Sequence, residues 1–259
     1  MSNFRRKESI INLIERDKEV SVNELSELLG ASKETIRRDL ADLEQKGFLV
    51  RVHGGAVYNR EADNSLDEYP MLIRGIQRHE EKNQICAYAA ALIEDGDTIF
   101  IDNSSTVVYL LKCIPEHIHL TVITNSVQIL LEAARVKSSN IQCFCLGGSF
   151  KAANLSIYGG TALKEAEEYY PNKMFLSCAG IRADGLVTDS SMQEAEIKRL
   201  MLNNSSKVYY LVDHTKFHTI GQVRLDHISA NSTIITDSSV NPAFLEPIRK
   251  LGAEVLIAK

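Results

Sequence analysis

The sequence predicts an α/β protein that carries a small helical head at its N-terminal end. Two observations predict this. The first 58 residues contain three short amphipathic segments with helical spacing, followed by a hairpin signal. From about residue 76 onwards, short apolar runs alternate with helical segments, a pattern typical of parallel strands buried between covering helices. We therefore expect a head at residues 1–58, a polar linker at 59–75 and a second domain at 76–259.

Composition excludes several classes of protein. The chain has 259 residues, of which 44% are hydrophobic and 24% charged, as in ordinary globular proteins. No apolar run approaches the roughly 20 residues needed to cross a bilayer. The first residues lack an apolar signal segment, and five scattered cysteines do not suggest a disulfide framework. We expect a cytoplasmic protein without metal or cofactor that does not bind membranes.

The charge is unevenly distributed along the chain. The net charge is −5, from 29 Lys and Arg against 34 Asp and Glu. Residues 1–60 hold 11 of the basic and 10 of the acidic residues, so the remainder holds 18 and 24. This balance excludes a bulk electrostatic coating of DNA, but it allows a small DNA-binding module with locally placed cations.

Three helices are expected in the head. The first covers residues 4–18. The second begins at a capping box at residues 21–24 and ends at Gly30, and the third begins at the cap Ser32 and ends at Gly47. Their apolar stripes are, in order, Ile10, Ile11, Leu13 and Ile14; Val22, Leu25, Leu28 and Leu29; and Ile36, Leu40 and Leu43. A short turn between the second and third helices gives a helix-turn-helix layout.

A hairpin is predicted directly after the third helix. Residues 48–53 have strand character, Gly54 and Gly55 form a two-residue turn signal, and residues 56–58 return as a second strand. A hairpin in this position is the wing of a winged helix-turn-helix domain.

The exposed N-terminal end of the third helix has the side chains of a DNA reader. Recognition helices present this end to base edges, arginine suits bidentate contact with guanine, and the free N–H groups of a capped helix start suit a phosphate. The predicted DNA-binding residues of this helix and the wing are Ser32, Lys33, Thr35, Arg37, Arg38, Arg51 and His53. For Arg38 an alternative stays open: surface ion pairs with Glu34 and Asp42, each worth about 0.2–0.5 kcal/mol.

Seven apolar runs predict the strands of the second domain, with helices around them. The runs are at residues 98–101, 120–123, 141–146, 173–179, 208–212, 233–235 and 254–257. The expected helices are at residues 81–94, 107–112, 127–134, 161–168, 193–202 and 242–251. Ligands of parallel α/β sheets bind beyond the carboxyl ends of the strands, so the residues that follow each run are candidate binding residues.

Polar or glycine clusters follow five of these runs. Hydroxyl groups and free backbone N–H groups suit a phosphate or sugar hydroxyls, and paired glycines allow a close backbone approach. The predicted binding residues are Asp102, Ser104, Ser105, Thr106, Thr124, Asn125, Gly147, Gly148, Lys151, Asp213 and Lys216. Each cluster taken alone fits a helix cap or a turn, whereas five clusters together favour a ligand site.

Other candidate chemistry is weak. Cys143 and Cys145 lie two apart on one strand without a second ligand pair, so we expect buried core cysteines and no metal site. His117 and His119 are expected in a loop. The sequence has no glycine-rich loop of the kinds that bind dinucleotides or nucleotide phosphates.

A specific pattern joins the third helix and the wing. Residues 32–40, Ser-Lys-Glu-Thr-Ile-Arg-Arg-Asp-Leu, are followed by Leu43, Gly47 and the segment Arg-Val-His-Gly-Gly-Ala at 51–56. This pattern resembles the N-terminal signature of DeoR-type bacterial transcriptional regulators, and the resemblance covers nearly the whole chain. It implies a repressor that binds double-stranded operator DNA. It also implies a body related in fold to ribose-5-phosphate isomerase, which senses a small, usually phosphorylated, sugar metabolite.

The resemblance extends to the loops of the second domain. The segments that match effector-domain loops of the family are residues 102–106, 123–125, 146–148 and 213–216. The resemblance implies that Ser105 and Thr106 hold the phosphate and that Asp102 and Asn125 bind sugar hydroxyls. It further implies that Lys216 neutralises the anion.

Three functions stay open at this point. The first is a ligand-gated repressor of a carbohydrate operon, acting as a dimer or higher homo-oligomer. The second is a sugar-phosphate isomerase with a fused DNA-binding head, in which Asp102, Glu194 and Lys216 are conceivable acid–base groups. The third, an adaptor with a degenerate pocket, predicts strand ends without polar clusters.

The sequence departs from the family pattern at two places in these loops. Ser104 replaces a glycine usual in the family, and residues 214–215 replace a commoner small pair. Both departures bear on the identity of the effector.

Overall fold

The computed structural model describes residues 3–59, 71–136, 139–217 and 219–259. The chain divides into two compact units, one ending at His79 and the other running from Glu80 to Lys259. Most of the predicted linker therefore lies outside the described residues. None of the described helices has the length and apolar character needed to cross a membrane.

The first unit combines helices with a three-stranded antiparallel sheet in the order β1-β3-β2. Its elements are α1 (Asn3–Asp17), β1 (Glu19–Ser21), α2 (Val22–Leu29), α3 (Lys33–Gln45), β2 (Leu49–Val52), β3 (Gly55–Tyr58) and α4 (Met71–Arg74). The capping box between Ser21 and Glu24 is present, Gly30 ends α2 in the left-handed region, and Ser32 caps α3. The predicted helix-turn-helix with its wing is confirmed.

One apolar core holds this unit together. Fully buried side chains of α1, α3 and β2 meet in it, among them Ile10, Ile14, Ile36, Leu40 and Leu49. Burial of an aliphatic side chain contributes about 1.5–3 kcal/mol, so the spacing of these residues decides which helix faces turn inward. Leu28 was expected among them and is instead 66% exposed, because the two-turn α2 buries only a narrow stripe.

The wing and its surroundings differ from expectation in two details. Residues 53–54 form the two-residue turn, because Gly55 already pairs with Val52 in the ladder. The short helix α4 lies inside the segment that the sequence predicts as an irregular linker. Ile73 of α4 and Ile76 just after it are buried in the core of the first unit, so the described end of that segment packs against the helices.

A seven-stranded parallel sheet forms the centre of the second unit. Its strands are β4 (Thr98–Ile101), β5 (Leu120–Thr124), β6 (Ile141–Cys145), β9 (Lys173–Leu176), β12 (Lys207–Leu211), β14 (Ser232–Asp237) and β15 (Glu254–Ala258). All seven predicted runs are strands, and every neighbouring pair is parallel. The accompanying helices are α5 (His79–Ala90), α6 (Val127–Arg135), α7 (Gly160–Ala166), α8 (Met192–Asn204) and α9 (Pro242–Lys250).

The strand order places a topological switch point near the middle of the sheet. The order is β15-β14-β12-β9-β4-β5-β6, so the chain runs outward from β4 to β6 and then returns to β9 and continues in the opposite direction. Loops that leave two strands at such a switch point diverge, and ligands of open α/β sheets bind between them. The carboxyl ends of β4 and β9 therefore mark the expected site.

Several short elements escape the sequence pattern. These strands are β7 (Ser149–Lys151) and β8 (Ser156–Tyr158), which form a hairpin, and β10 (Gly180–Ile181), β11 (Leu186–Asp189) and β13 (Val223–His227), which form a small antiparallel sheet. Strands of two to five residues are too short to show a clear alternation. The helix predicted at 107–112 is two 3-10 turns, Val107–Tyr109 and Leu111–Cys113.

The expectation of buried core cysteines is wrong for Cys145, which is exposed, and for the half-buried Cys143, because β6 is an edge strand.

Candidate functional site

The start of α3 presents polar side chains at the surface of the first unit. The Ser32 hydroxyl accepts a hydrogen bond from the Thr35 N–H at 3.2 Å and lies 2.8 Å from the Thr35 hydroxyl. Lys33, Arg37 and Arg38 are exposed, while the apolar stripe of the helix is buried. The end that is predicted to read DNA is therefore accessible and is fixed by its cap.

Ion pairs engage the two aspartates of α3, each with one basic residue of α1. The Arg6 guanidinium lies 2.5 Å from the carboxylate of Asp39, which is 4% exposed. Asp42 binds Lys7 at 2.6 Å and Lys46 at 2.5 Å. Burial raises the pKa of Asp42, but the two lysines outweigh burial and lower that pKa. These pairs fasten α3 to α1 and neutralise carboxylates that would otherwise repel a phosphate backbone.

Arg38 does not make the ion pairs that its alternative interpretation requires. Glu34 contacts Arg37 at 3.7 Å, and Asp42 is held by the two lysines. Within residues 3–59, no ion pair involves Arg38. The guanidinium is exposed and available to a ligand of the head.

The wing brings further basic groups to this surface. Arg37 of α3, Arg51 of β2 and His53 of the turn line one concavity of about 440 Å³, together with Asn23 at the start of α2. The Arg51 N–H donates a hydrogen bond to the Glu44 carboxylate at 2.8 Å, which ties β2 to α3. Three of the predicted DNA-binding residues thus converge, although their role stays a prediction.

The carboxyl ends of the central strands carry a dense group of buried polar side chains. Its members are Asp102, Asn103, Ser104, Ser105 and Thr106 after β4; Thr124 and Asn125 at the end of β5; Ser177 after β9; Asp213 after β12; and Lys82, Asp189, Glu194 and Lys198 from other elements. Charged side chains are almost never fully buried unless they are paired. The partners of each group therefore decide which of them can meet a ligand.

Three of the charged residues form a buried ion triad. The Lys198 ammonium lies 2.8 Å from Asp102 and 2.7 Å from Asp189, and it donates a third hydrogen bond to the Ser177 carbonyl at 3.2 Å. Burial lowers the pKa of Lys198, but the two carboxylates outweigh burial and hold that pKa well above its ordinary value. Asp102 also accepts from the Ser104 N–H at 3.0 Å. Asp102 is therefore engaged within the protein before any ligand arrives.

Two lysines lower the pKa of a second buried carboxylate, that of Asp213. Asp213 accepts a hydrogen bond from the Thr215 N–H at 3.0 Å. Burial raises the pKa of Asp213, but Lys216 and Lys82 contribute to an overall lowering of that pKa. The Lys82 ammonium also donates to the Ser105 hydroxyl at 3.0 Å. Positive charge and a hydroxyl thus lie together at the end of β4.

At the ends of β4, β5 and β9, four buried polar atoms have no hydrogen-bond partner among the described residues. They are the side-chain oxygens of Asn103, Ser104, Asn125 and Ser177. These residues follow β4, β5 and β9, three neighbouring strands that include the switch point. The Asn125 amide group donates to the Ile157 carbonyl at 3.2 Å, which holds its side chain in place. Buried polar groups are normally satisfied, so these atoms offer hydrogen bonds to a polar ligand.

Other predicted residues of this site have local partners. The Thr124 hydroxyl donates to a backbone carbonyl of β4 at 2.6 Å. The Gly147 N–H donates to the Glu165 carboxylate at 2.5 Å. A Cβ at Gly148, with φ +134°, would lie 2.5 Å from a backbone carbonyl of β8, so this glycine is required by packing. Lys151 ends β7 and is half-buried.

The sequence-based prediction missed five members of the buried group. Asn103 lies between predicted residues, and Ser177 interrupts an apolar run where a strand ends, which is a signal that could have identified it. Lys82, Asp189 and Lys198 have no such local signal. Only the packing of α5, β11 and α8 brings them to the strand ends.

Two family models match the chain. The DeoR-like helix-turn-helix domain matches residues 6–62, and the DeoR C terminal sensor domain matches residues 77–238. The chain is 32% identical over 256 residues to the HTH-type transcriptional regulator GolR of Listeria innocua, covering 99% of each protein. It is 34% identical over 220 residues to the lactose phosphotransferase system repressor of Staphylococcus epidermidis, covering 83% of this chain and 84% of that protein.

Solved structures resemble the chain more distantly. Ribose 5-phosphate isomerase A of Methanocaldococcus jannaschii has a TM-score of 0.41 and 15% sequence identity, covering 54% of this chain and 55% of that one. A likeness of this size carries no conclusion about activity.

Proposed function

The chain belongs to the DeoR family of transcriptional regulators, and on this basis we propose that it is a repressor gated by a small phosphorylated sugar. The head binds operator DNA, and the sensor domain binds the sugar at the strand ends. This proposal is carried by the four buried polar atoms at the strand ends that have no partner among the described residues, together with the positive charge of Lys82 and Lys216 near Asp213. The name of one similar protein, a lactose phosphotransferase system repressor, supports control of a carbohydrate operon, and the name of the transcriptional repressor GlcR of Bacillus subtilis supports repression.

DNA binding is assigned to α3 and the wing. Arg38 reads a base edge in the major groove, where a guanidinium suits guanine. Lys33 and the capped start of α3 contact phosphate groups, and Arg51 and His53 contact the backbone or the minor groove. Two heads of a dimer would bind half-sites about one helical turn apart, or a multiple of it.

Effector binding is assigned to the switch point. Ser105, Thr106 and the N–H groups of their loop hold the phosphate, and Lys216 neutralises its charge. The free oxygen of Asn125 binds a sugar hydroxyl. Asp102 accepts further hydrogen bonds there, but Lys198 already neutralises its charge. Effector binding lowers operator affinity through a coupling free energy of typically 1–3 kcal/mol.

The buried carboxylates disfavour the isomerase alternative. An isomerase needs a carboxylate placed to remove a proton from its substrate. Asp102 is held by Lys198, and the Glu194 carboxylate accepts hydrogen bonds from Asn154 at 2.7 Å and Ser156 at 2.9 Å. The named relatives are regulators, so we expect a bound sugar phosphate to be recovered unchanged.

A thermal-shift screen tests the proposal. Full-length protein is mixed with a panel of pentose and hexose phosphates and with the parent sugars, and each stabilising compound is recovered and analysed. A ligand at 100 times its Kd stabilises the folded state by about 2.7 kcal/mol. Each stabilising compound is then added to the complex with operator DNA. We expect a sugar phosphate to stabilise the protein, to be recovered unchanged and to release the DNA.

A matched pair of variants refines this test. Lys216→Ala is expected to bind operator DNA normally and to respond weakly to the effector, because the anion loses a neutralising charge. Lys164→Ala, an exposed residue of α7, is the control and is expected to behave as the wild type. Conversion of the ligand would establish the isomerase instead, and a panel without any stabilising phosphate would refute the sensor function.

A further inference from the structure

β6 lies at one edge of the parallel sheet. Among the described residues it pairs with β5 alone, in a parallel ladder along its whole length. A strand in this position presents backbone N–H and C=O groups along its other side, and these groups pair with a further strand unless charges, proline or a bulge oppose it. The composition of β6 therefore decides whether this edge is closed or available to a partner.

β6 contains none of these protective features. Its residues, Ile-Gln-Cys-Phe-Cys, include no charge and no proline, and its ladder with β5 has no register shift. The side chains of Gln142, Phe144 and Cys145 are exposed, whereas β15, at the opposite edge of the sheet, exposes only the charged Glu254. β6 is thus the edge of this sheet that is suited to accept another strand.

The helix that packs against β6 is also apolar on its outside. α6, which the structure describes throughout, has the sequence Val-Gln-Ile-Leu-Leu-Glu-Ala-Ala-Arg, and Ile129 is its only buried apolar residue. Leu131 is 48% exposed. The charges of the helix cancel, because the Arg135 guanidinium lies 2.6 Å from the buried Glu132 carboxylate. Exposed apolar surface next to an open strand edge is typical of a protein interface.

A second copy of the chain matches this surface. When a two-fold axis relates two identical edge strands, they pair antiparallel and each strand supplies donors for the acceptors of the other. Like charges directly opposite each other would oppose such pairing, but β6 is uncharged and α6 is neutral. A specific interface buries about 800 Å² on each partner, which is more than one short strand provides, so the exposed side of α6 belongs to the same surface.

We propose that β6 and α6 form the dimer interface of the second unit, in which the β6 strands of two copies pair antiparallel and join the two sheets. This inference goes beyond the proposed function and does not depend on an effector. Pairing over the full length of β6 places Cys143 directly opposite Cys143 of the second copy. Side chains opposite each other in such a pair have Cβ atoms about 4.5–5.5 Å apart, close to the separation that a disulfide spans.

The mass of the assembled protein tests the interface. Full-length protein is examined by analytical ultracentrifugation in reducing buffer, without DNA or sugar phosphates. The wild type is expected to be a dimer, and Phe144→Lys is expected to weaken self-association about tenfold or more, because two ammonium groups then meet across the paired strands. Met192→Lys, which places the same charge at another exposed apolar residue, on α8, is the control and is expected to remain dimeric.

Two results would overturn the interface. One is a wild type that stays monomeric at every accessible concentration, which would leave the edge to another occupant. The other is a Phe144→Lys variant that is folded and associates as tightly as the wild type. Neither result bears on operator binding or on the response to sugar phosphates, so a failure of this inference is distinguishable from a failure of the proposed function.

A measurement on the wild type keeps the inference testable if Phe144→Lys does not fold. The reduced wild-type dimer is oxidised with copper phenanthroline, and the linked peptides are identified by mass spectrometry. The expected product is a dimer linked through Cys143 of both copies, which is lost in Cys143→Ser and retained in Cys113→Ser. A dimer that links through other cysteines only, or that does not link at all, would refute the antiparallel pairing of β6.

Discussion

Lys198 and Lys173 show how burial fixes the role of a charged residue. Lys198 is 3% exposed between Asp102 and Asp189. Lys173 is 5% exposed, and its ammonium lies 2.6 Å from the Asp97 carboxylate. Lys173 is the first residue of β9, so it lies at the opposite end of that strand from the candidate site. An ammonium whose donors are all used in this way holds elements together and leaves ligand binding to its neighbours.

The ion triad leads to a prediction about stability. We expect Lys198→Met to lower the free energy of unfolding of the second unit by about 3–5 kcal/mol, because two buried carboxylates then lose their shared cation. Urea unfolding followed by circular dichroism measures this. Lys207→Met, at the exposed start of β12, is the control, with an expected change within about 0.5 kcal/mol. Equal stability of the two variants would be inconsistent with the triad.

Arg38 is the residue on which base reading is expected to depend. We predict that Arg38→Ala weakens operator binding by about 1–3 kcal/mol, because its guanidinium is exposed and forms no ion pair with a carboxylate of the described residues. Fluorescence anisotropy with operator and with unrelated DNA measures the change. Arg16→Ala, which removes an exposed arginine paired with Asp17 on α1, serves as the control. Unaltered operator affinity in Arg38→Ala would rule out this role.

At the scale of elements, the wing depends on two glycines for different reasons. A Cβ at Gly55 would lie 2.1 Å from the Val20 carbonyl oxygen, because β3 runs against β1 at that point. Gly54 has φ +84° in the turn, but a Cβ there would meet nothing within 4 Å. Gly54 thus provides a backbone conformation, and Gly55 provides a close approach of two strands.

This difference predicts that substitution of Gly55 destabilises the protein more than substitution of Gly54. Gly54→Ala is expected to cost about 1–2 kcal/mol, the usual cost of a left-handed conformation in a residue with a Cβ. Gly55→Ala is expected to cost more and to weaken operator binding, because β1 and β3 must separate to admit the methyl group. Thermal unfolding of both variants and their operator titrations measure this order. A smaller loss in Gly55→Ala than in Gly54→Ala would contradict the close approach.

At the scale of the whole molecule, an acidic chain is expected to bind DNA through a few local cations. The net charge is −5, yet the pairs between α1 and α3 neutralise the aspartates of α3. Lys33, Arg37, Arg38 and Arg51 are exposed on α3 and the wing. A head of this kind binds DNA by local contacts and gains little from the field of the remaining protein.

The salt dependence of operator binding measures how many DNA phosphate groups the cations of the head neutralise. Each neutralised phosphate contributes about −0.9 to the slope of log Kobs against log salt concentration. Apart from the base-reading Arg38, three exposed cations, Lys33, Arg37 and Arg51, therefore predict a slope of about −3 for each head. Titrations at several salt concentrations give the value, and a Lys33→Ala variant reports the share of one residue. A slope near zero would exclude the electrostatic contacts, and a much steeper one would indicate that the sensor domain also contacts DNA.

Much of the fold follows from signals that are local in the sequence. Hydroxyl caps, terminal glycines and apolar residues at helical spacing predicted α1 to α3 and their ends, and continuous apolar runs predicted all seven strands of the parallel sheet. The alternation in β10, β11 and β13 is too brief to detect. Leu28 was misplaced because an apolar side chain does not by itself specify how wide a buried stripe is.

The sequence by itself determined the helix-turn-helix with its wing, the parallel sheet and the strand ends at which a ligand site is expected. Each of these depends on residues that are close in the chain, so spacing and side-chain type suffice. Only the tertiary structure decided which groups meet across the fold. The Lys198 ammonium pairs with Asp102, the missing side chain of Gly55 lets β1 lie close to β3, and the Lys82 ammonium donates to Ser105 in the loop after β4. These contacts join residues separated by tens of positions. Their partners are selected by the packing of whole elements, which no local pattern records.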